Sequence, residues 1–124
     1  MVKITLDFAE LCFYNEKVVQ IAIFPSCDVS LEDSKLLLEQ WKKLTNNKPY
    51  PTLFLVGGFV SIDTDARNFS ASVEGMSNSI AEGYVLNNQG HVLMSRIYLK
   101  VNKPIKPTRF FTNKAAAIEW LETF

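Results

Sequence analysis

The sequence predicts an α/β domain, a mostly parallel sheet that opens with an N-terminal hairpin and is flanked by about four helices. Two observations carry this. Short apolar or alternating runs, suited to strands, take turns with longer segments whose apolar residues recur every three or four positions, suited to helices. Strands separated by helical crossovers pair in parallel, and the crossovers are right-handed. A 124-residue chain, 48% hydrophobic and 21% charged, has the length and composition of one ordinary core, so residues 1–124 read as a single domain.

Val2, Ile4, Leu6 and Phe8 alternate with polar residues, and the parity then slips to Leu11 and Phe13. This predicts one half-buried strand bent near Ala9. "YNEK" (14–17) reads as a tight turn, and "VVQIAIF" (18–24) as a more fully buried strand that closes the hairpin. Ser30 opens "SLED", a capping box in which Ser30 and Asp33 satisfy each other's backbone amides. Ser34, Leu37, Leu38, Trp41 and Leu44 follow on one stripe, and "TNNKPYP" ends the helix.

"TLFLVG" (52–57) has the look of a strand buried on both faces, and Gly57-Gly58 lets the chain turn. From Asp63 the spacing is helical, with Ala66, Phe69, Val73 and Met76 on the stripe; "IAEGYVLN" (80–87) is the next strand. In 87–104, Leu93, Ile97 and Val101, with Met94 and Tyr98 beside them, predict a third helix capped by Asn88. Pro104 and Pro107 precede the strand "TRFF". Thr112 or Asn113 then caps a final helix with Ala117, Trp120, Leu121 and Phe124 inward.

Zero formal net charge argues against nucleic acid as a partner and against attraction to an anionic membrane. The charges are uneven, however. Between Gly83 and Ile118 stand Arg96, Lys100, Lys103, Lys106, Arg109 and Lys114 with no acid, which reads either as an anion-facing patch or as a solvated basic face. Two cysteines, Cys12 and Cys27, without CxxC spacing, and the lone His91 give no metal motif. No apolar run is long enough for stable membrane insertion, and the N-terminus lacks a secretory h-region, so the expected location is the cytoplasm.

The segments "SLEDSKLL", "SIDTDARNFSAS", "RIYLKVNKPIKPTRFFTN" and "KAAAIEWLETF" together resemble the SpoIIAA-like, or STAS-like, domains, and in particular a bacterial group of uncharacterised STAS-like proteins, over nearly the whole chain. The resemblance implies the α/β sheet already described, the regulatory, protein-binding role of anti-sigma-factor antagonists, and no catalytic residue. More distant relatives of that fold, the CRAL-TRIO domains, carry lipids. In STAS antagonists an aspartate, two hydroxyl residues and a glycine lie where the central strand meets the second helix, and the second hydroxyl is phosphorylated. The matching residues here are Asp63, Thr64, Asp65 and Ala66, so the phosphoacceptor position holds an aspartate.

Asp63 and Asp65 also have an electrostatic reason to stand at a helix start, and Asp63 lies four residues before Arg67, a spacing that suits an ion pair. Thr64 could accept phosphate, but the flanking acids would repel it; capping is the expected role of this turn. Cys27 with His91 as base would be the one nucleophile pair, and Cys27 at a strand end reads more simply as a packing residue. Gly57-Gly58 lacks the further glycines of a phosphate loop. Phe110-Phe111 beside Arg109 has an aromatic-plus-basic look, but strand alternation exposes one ring at most.

Two function classes remain, neither of them enzymatic and neither requiring a cofactor. One is a regulatory module that binds an unidentified protein, or a second copy of itself as a homodimer, through Phe59, Val60, Ile62, Asp63, Thr64 and Asp65. The other is a carrier of a small apolar ligand, with Arg96, Lys100, Lys103, Lys106 and Arg109 as an anion-facing patch.

Overall fold

The computed structural model describes residues 2–86 and 95–124. Eight strands and the helical segments follow in the order β1 (Lys3–Thr5), β2 (Ala9–Phe13), β3 (Val19–Ile23), β4 (Asp28–Val29), α1 (Leu31–Thr45), β5 (Tyr50–Val56), β6 (Ser61–Ile62), α2 (Thr64–Ala71) and β7 (Ser79–Val85). A helical segment from residue 95 passes into a π-helical stretch, Tyr98–Asn102. After it come β8 (Thr108–Phe111) and α3 (Lys114–Leu121).

The expected bent first strand is two strands. Asp7 and Phe8 form a two-residue reversal closed by the Leu6 amide on the Ala9 carbonyl at 2.7 Å, and β1 pairs antiparallel with β2, Thr5 opposite Glu10. The slip in parity at Ala9 marks this reversal, because both strands then present their apolar residues to the same side of the sheet. The turn before β3 forms as expected, with the Asn15 side chain accepting from the amides of Lys17 and Val18.

The main sheet runs β1-β2-β3-β5-β7-β8, so strand order equals chain order, and β3, β5, β7 and β8 are parallel. With right-handed crossovers, a sheet that always advances the same way puts every crossover helix on one face. Leu37 and Trp41 of α1, Ala71 of α2 and Tyr98 of the π segment accordingly share one core with Ile21, Phe54, Val56 and Tyr84. The opposite face carries a smaller core: Val18, Leu53 and Ala81 under Ala117 and Leu121 of α3. Gly83 makes room there, since a Cβ would meet Leu121 Cδ1 at 3.3 Å.

Helix α1 has the expected capping box, and it ends on Asn46 in the left-handed conformation. Asn113 rather than Thr112 caps α3. Helix α2 is shorter than its stripe, stopping at Ala71; Val73 falls beyond it and is exposed, while Met76 is fully buried in the following turn. The third helix is phased differently from the expected stripe: Ser95 and Tyr98 are buried and Ile97 and Val101 face outward. Tyr98 is drawn inward by edge contacts with Tyr84 and Phe110, which outweigh burial of an aliphatic residue. Asn88, Leu93 and Met94 lie outside the described residues.

Candidate functional site

The loops that follow β3 and β5 are joined backbone to backbone. Ser26 donates to the Gly58 carbonyl at 2.8 Å, Ser61 to Cys27 at 3.0 Å and Asp63 to Val29 at 3.1 Å, the last two belonging to the β4–β6 pair. Gly57 permits the approach, because a Cβ there would stand 2.6 Å from the Pro25 nitrogen and 2.7 Å from the Ile23 carbonyl oxygen. From this clamped platform Phe59 projects 86% exposed, with φ at 60°. A left-handed conformation costs a bulky residue about 1–2 kcal/mol, and here the ring recovers none of it by burial. Val60 beside it is buried and Ile62 half-buried, so of the apolar lead-in only Phe59 is presented to solvent.

Helix α2 starts from the same platform. Asp63 is its N-cap, accepting from the Ala66 amide at 2.8 Å. The expected Asp63–Arg67 ion pair is replaced by other contacts: Arg67 Nη1 donates to the Ile62 carbonyl at 2.5 Å and Nη2 to the Thr64 hydroxyl at 3.1 Å. Asp63, Thr64 and Asp65 are all exposed, as is Asp28 on the paired strand β4, where its carboxylate accepts from the Ser61 hydroxyl. Exposed aspartates therefore stand on β4 and at the start of α2, the elements that the platform leads into.

The basic residues are not gathered in one place. Arg96 and Lys100 are exposed on the third helical segment, and Lys103 caps it in the left-handed conformation. Lys106 donates to the Ser77 carbonyl at 3.1 Å. Arg109 lies on the α3 side of the edge strand, its guanidinium 5.4 Å from the Phe111 ring centre and 5.5 Å from that of Trp120. Phe110 points to the other face, stacked 5.0 Å from Tyr84. The Cys27 thiol contacts the Pro25 carbonyl at 3.8 Å, and His91 lies outside the described residues.

Sequence reasoning missed the buried acid Glu82. A bulge in the β5–β7 pairing sets Tyr50 opposite Ser79 and Thr52 opposite Glu82, and it lets Ser79 and Glu82 face the same core. The Trp41 indole donates to Thr52 Oγ1 at 3.0 Å, and Thr52 and Ser79 hydroxyls meet at 2.9 Å. The Ser79 hydroxyl in turn hydrogen-bonds the Glu82 carboxyl. Tyr84 donates to the same carboxyl at 3.0 Å. Burial raises the Glu82 pKa from its ordinary 4.5 to about 7, against the lowering effect of these hydrogen bonds and of Lys106. Burial first, and the neighbouring acid second, hold both Tyr84 and Tyr98 well above the usual phenol range. The signal was available: an acid inside a central parallel strand has no solvent-facing side to occupy.

Two clefts flank α2 on this face. One, of about 60 Å³, lies against α1 and includes Trp41, Thr52, Ser79 and Glu82; the other, of about 50 Å³, lies against the π segment and includes Val60, Ile62, Arg67, Tyr98 and Phe110. Ser70 and Tyr84 border both. Among the described residues no three His, Cys, Asp or Glu side chains gather as a metal site, and no helix is long and apolar enough to cross a membrane.

Residues 12–124 match the model of the family described as Domain of unknown function (DUF7793). The chain belongs to this family. Family membership thus takes in everything from the second half of β2 onward, including the Phe59 platform, both clefts and Glu82. Among solved structures the chain is similar to a protein from Shewanella loihica PV-4, described as an uncharacterized protein from the DUF3478 family with a SpoIIAA-like fold. The TM-score is 0.65 at 10% identity, over 98% of this chain and 99% of that one. The expected SpoIIAA-like fold is therefore correct. No curated protein matches.

Proposed function

We propose that the protein is a non-enzymatic binding module that docks a protein partner on the Phe59 platform, as the likeness to STAS-type regulators suggested. The observation that carries this reading is Phe59 itself: an aromatic ring held out at positive φ by a rigid, hydrogen-bonded base. Strain without local compensation belongs with a contact made elsewhere, and a few large side chains that fill pockets near the centre of an interface carry most of its binding energy. Asp28, Asp63 and Asp65, on the elements that the platform leads into, select a partner whose apolar pocket is bordered by lysine or arginine. Asp65 stands at the phosphoacceptor position, and Thr64 is held by Arg67. The platform therefore works as a constitutive surface rather than a phosphorylation switch, in the cytoplasm of a bacterial cell.

Phe59→Gly separates binding from folding, since glycine accepts the backbone conformation and removes only the ring. Affinity capture from the native host, with wild type and this variant side by side, is expected to retain a stoichiometric basic-pocketed partner on wild type alone. The variant's thermal stability should be equal or higher. Identical captures from both proteins would sink the reading. A native mass spectrum that instead shows a dimer of this chain, lost in Phe59→Gly, would make the second copy the occupant. Phosphate on Thr64 in the same spectrum would restore the switch.

A further inference from the structure

We infer that the outer face of the third helical segment and of the turn after it, residues 96–105, is a docking surface for an anionic lipid bilayer, on which the protein rests peripherally. The surface is separate from the Phe59 platform and does not depend on it.

The segment is fastened from behind. Tyr98 is buried against Tyr84 and Phe110. Asn102 Nδ2 donates to Asn68 Oδ1 at 2.6 Å, and the Ile105 amide donates to the Ala71 carbonyl at 3.2 Å. The Lys103 amide closes the last turn on the Tyr98 carbonyl at 3.0 Å, with Lys103 itself at positive φ. Because Tyr98 and Asn102 are turned toward the body of the protein, the residues between and beside them are turned away from it.

Two properties meet on that outer face. Arg96, Lys100 and Lys103 are exposed, and none of them forms an ion pair with a described residue. Ile97, Leu99, Val101 and Ile105 are exposed as well, Val101 at 71%. A merely solvated basic face carries polar residues between its lysines. Here every exposed residue from 96 to 105 is either cationic or aliphatic.

That composition selects the partner. Cations interleaved with aliphatic groups are the pattern of a segment lying in the plane of a membrane interface: the aliphatic groups enter the acyl boundary while the long basic chains reach back to the phosphates. Aliphatic groups spread around a helical turn, with no aromatic anchor among the exposed ones, suit a fluid surface that moulds to them better than the pocket of a protein. The zero net charge of the whole chain does not weigh against this. Salt confines the attraction to charges within about 10 Å of the lipid, so the local charge decides.

The test is flotation of the full chain with vesicles of phosphatidylglycerol and phosphatidylcholine in equal parts, beside vesicles of phosphatidylcholine alone. The anionic vesicles are expected to bind on the order of a hundredfold more tightly, since each cation at such a surface is worth about fivefold. Ionic strength of about 1 M should abolish that preference. Lys100→Gln should weaken binding to the anionic vesicles about fivefold, and Val101→Ser about three- to tenfold. Lys48→Gln, the same change of charge at an exposed lysine elsewhere, should leave binding as it is. Equal binding to both vesicles, binding to neither, or a loss in Lys48→Gln as large as in Lys100→Gln would overturn the inference. A chain that does not float, yet captures an acidic protein from its host and loses it in Lys100→Gln, would overturn it in favour of a protein occupant.

Discussion

The two faces of the sheet are built to different rules. Under α3 the core is small and wholly apolar, and Val18, Leu53, Ala81, Ala117 and Leu121 are each fully buried. Under α1, α2 and the π segment the core is larger, and it holds Thr52, Ser79 and Glu82, the two tyrosines and both clefts around α2. One face is organised for packing alone. The other pairs packing with hydrogen bonds that constrain geometry, and that is the face on which a site can be held in register.

The sharpest way to break this contrast is to open the dry face. Leu53→Ala should lower the unfolding free energy by about 3–5 kcal/mol in a urea titration, because a packed leucine is lost and the cavity cannot take up water. A change near zero would mean that α3 is not closed on the sheet.

The second test is pH on the polar face. The Glu82 pKa is higher folded than unfolded, so in the window from about 4.5 to about 7 the folded chain binds more protons. Its protonated form therefore stabilises fully below the lower value, and the benefit is lost as pH rises through the upper one. Stability should fall by about 2–3 kcal/mol between pH 5 and pH 8 from this group. In Glu82→Gln that slope should flatten; a slope retained in the variant would place it on another residue.

Smaller effects sharpen the comparison. Trp41→Phe removes the donor to Thr52 while keeping most of the apolar bulk, and should cost about 1–2 kcal/mol. Asp63→Ala removes the α2 cap and should cost about 1 kcal/mol, read from thermal melts; a larger loss would mean that the platform and α2 unfold together.

Much of the architecture was legible because its signals are local. The Ser30–Asp33 box, the Asn15 turn, the Asn113 cap and the uninterrupted apolar run of β5 act through neighbours in sequence. What was not legible depends on contacts across the chain. The reversal at Asp7-Phe8 contains neither glycine nor proline, so the slip in parity was the only clue. The inward turn of Tyr98 is set by Tyr84 and Phe110, which no stripe of aliphatic residues reports. Of the residues grouped there, Phe59, Asp63, Thr64 and Asp65 are exposed, whereas Val60 is buried and Ile62 half-buried, a difference that the run of apolar residues does not report. Among the basic residues, proximity in sequence did not become proximity in space, since Arg109 sits on the far face from Tyr98 and Lys106 is held at Ser77.

Strand order that equals chain order also bears on how this sheet is assembled. Synthesis delivers the hairpin strands first, and each later parallel strand, β5, β7 and β8 in turn, adds to the edge left by its predecessor, with its crossover helix covering one side as it arrives. No strand has to be inserted between two already paired. The opposite side stays bare until residues 114–121 emerge, so the helix made after β8 is the one that seals Leu53 and Ala81 from water. A ribosome-bound chain stopped before that point would carry a complete sheet with one greasy face open, and this is the stage at which a chaperone has something to hold.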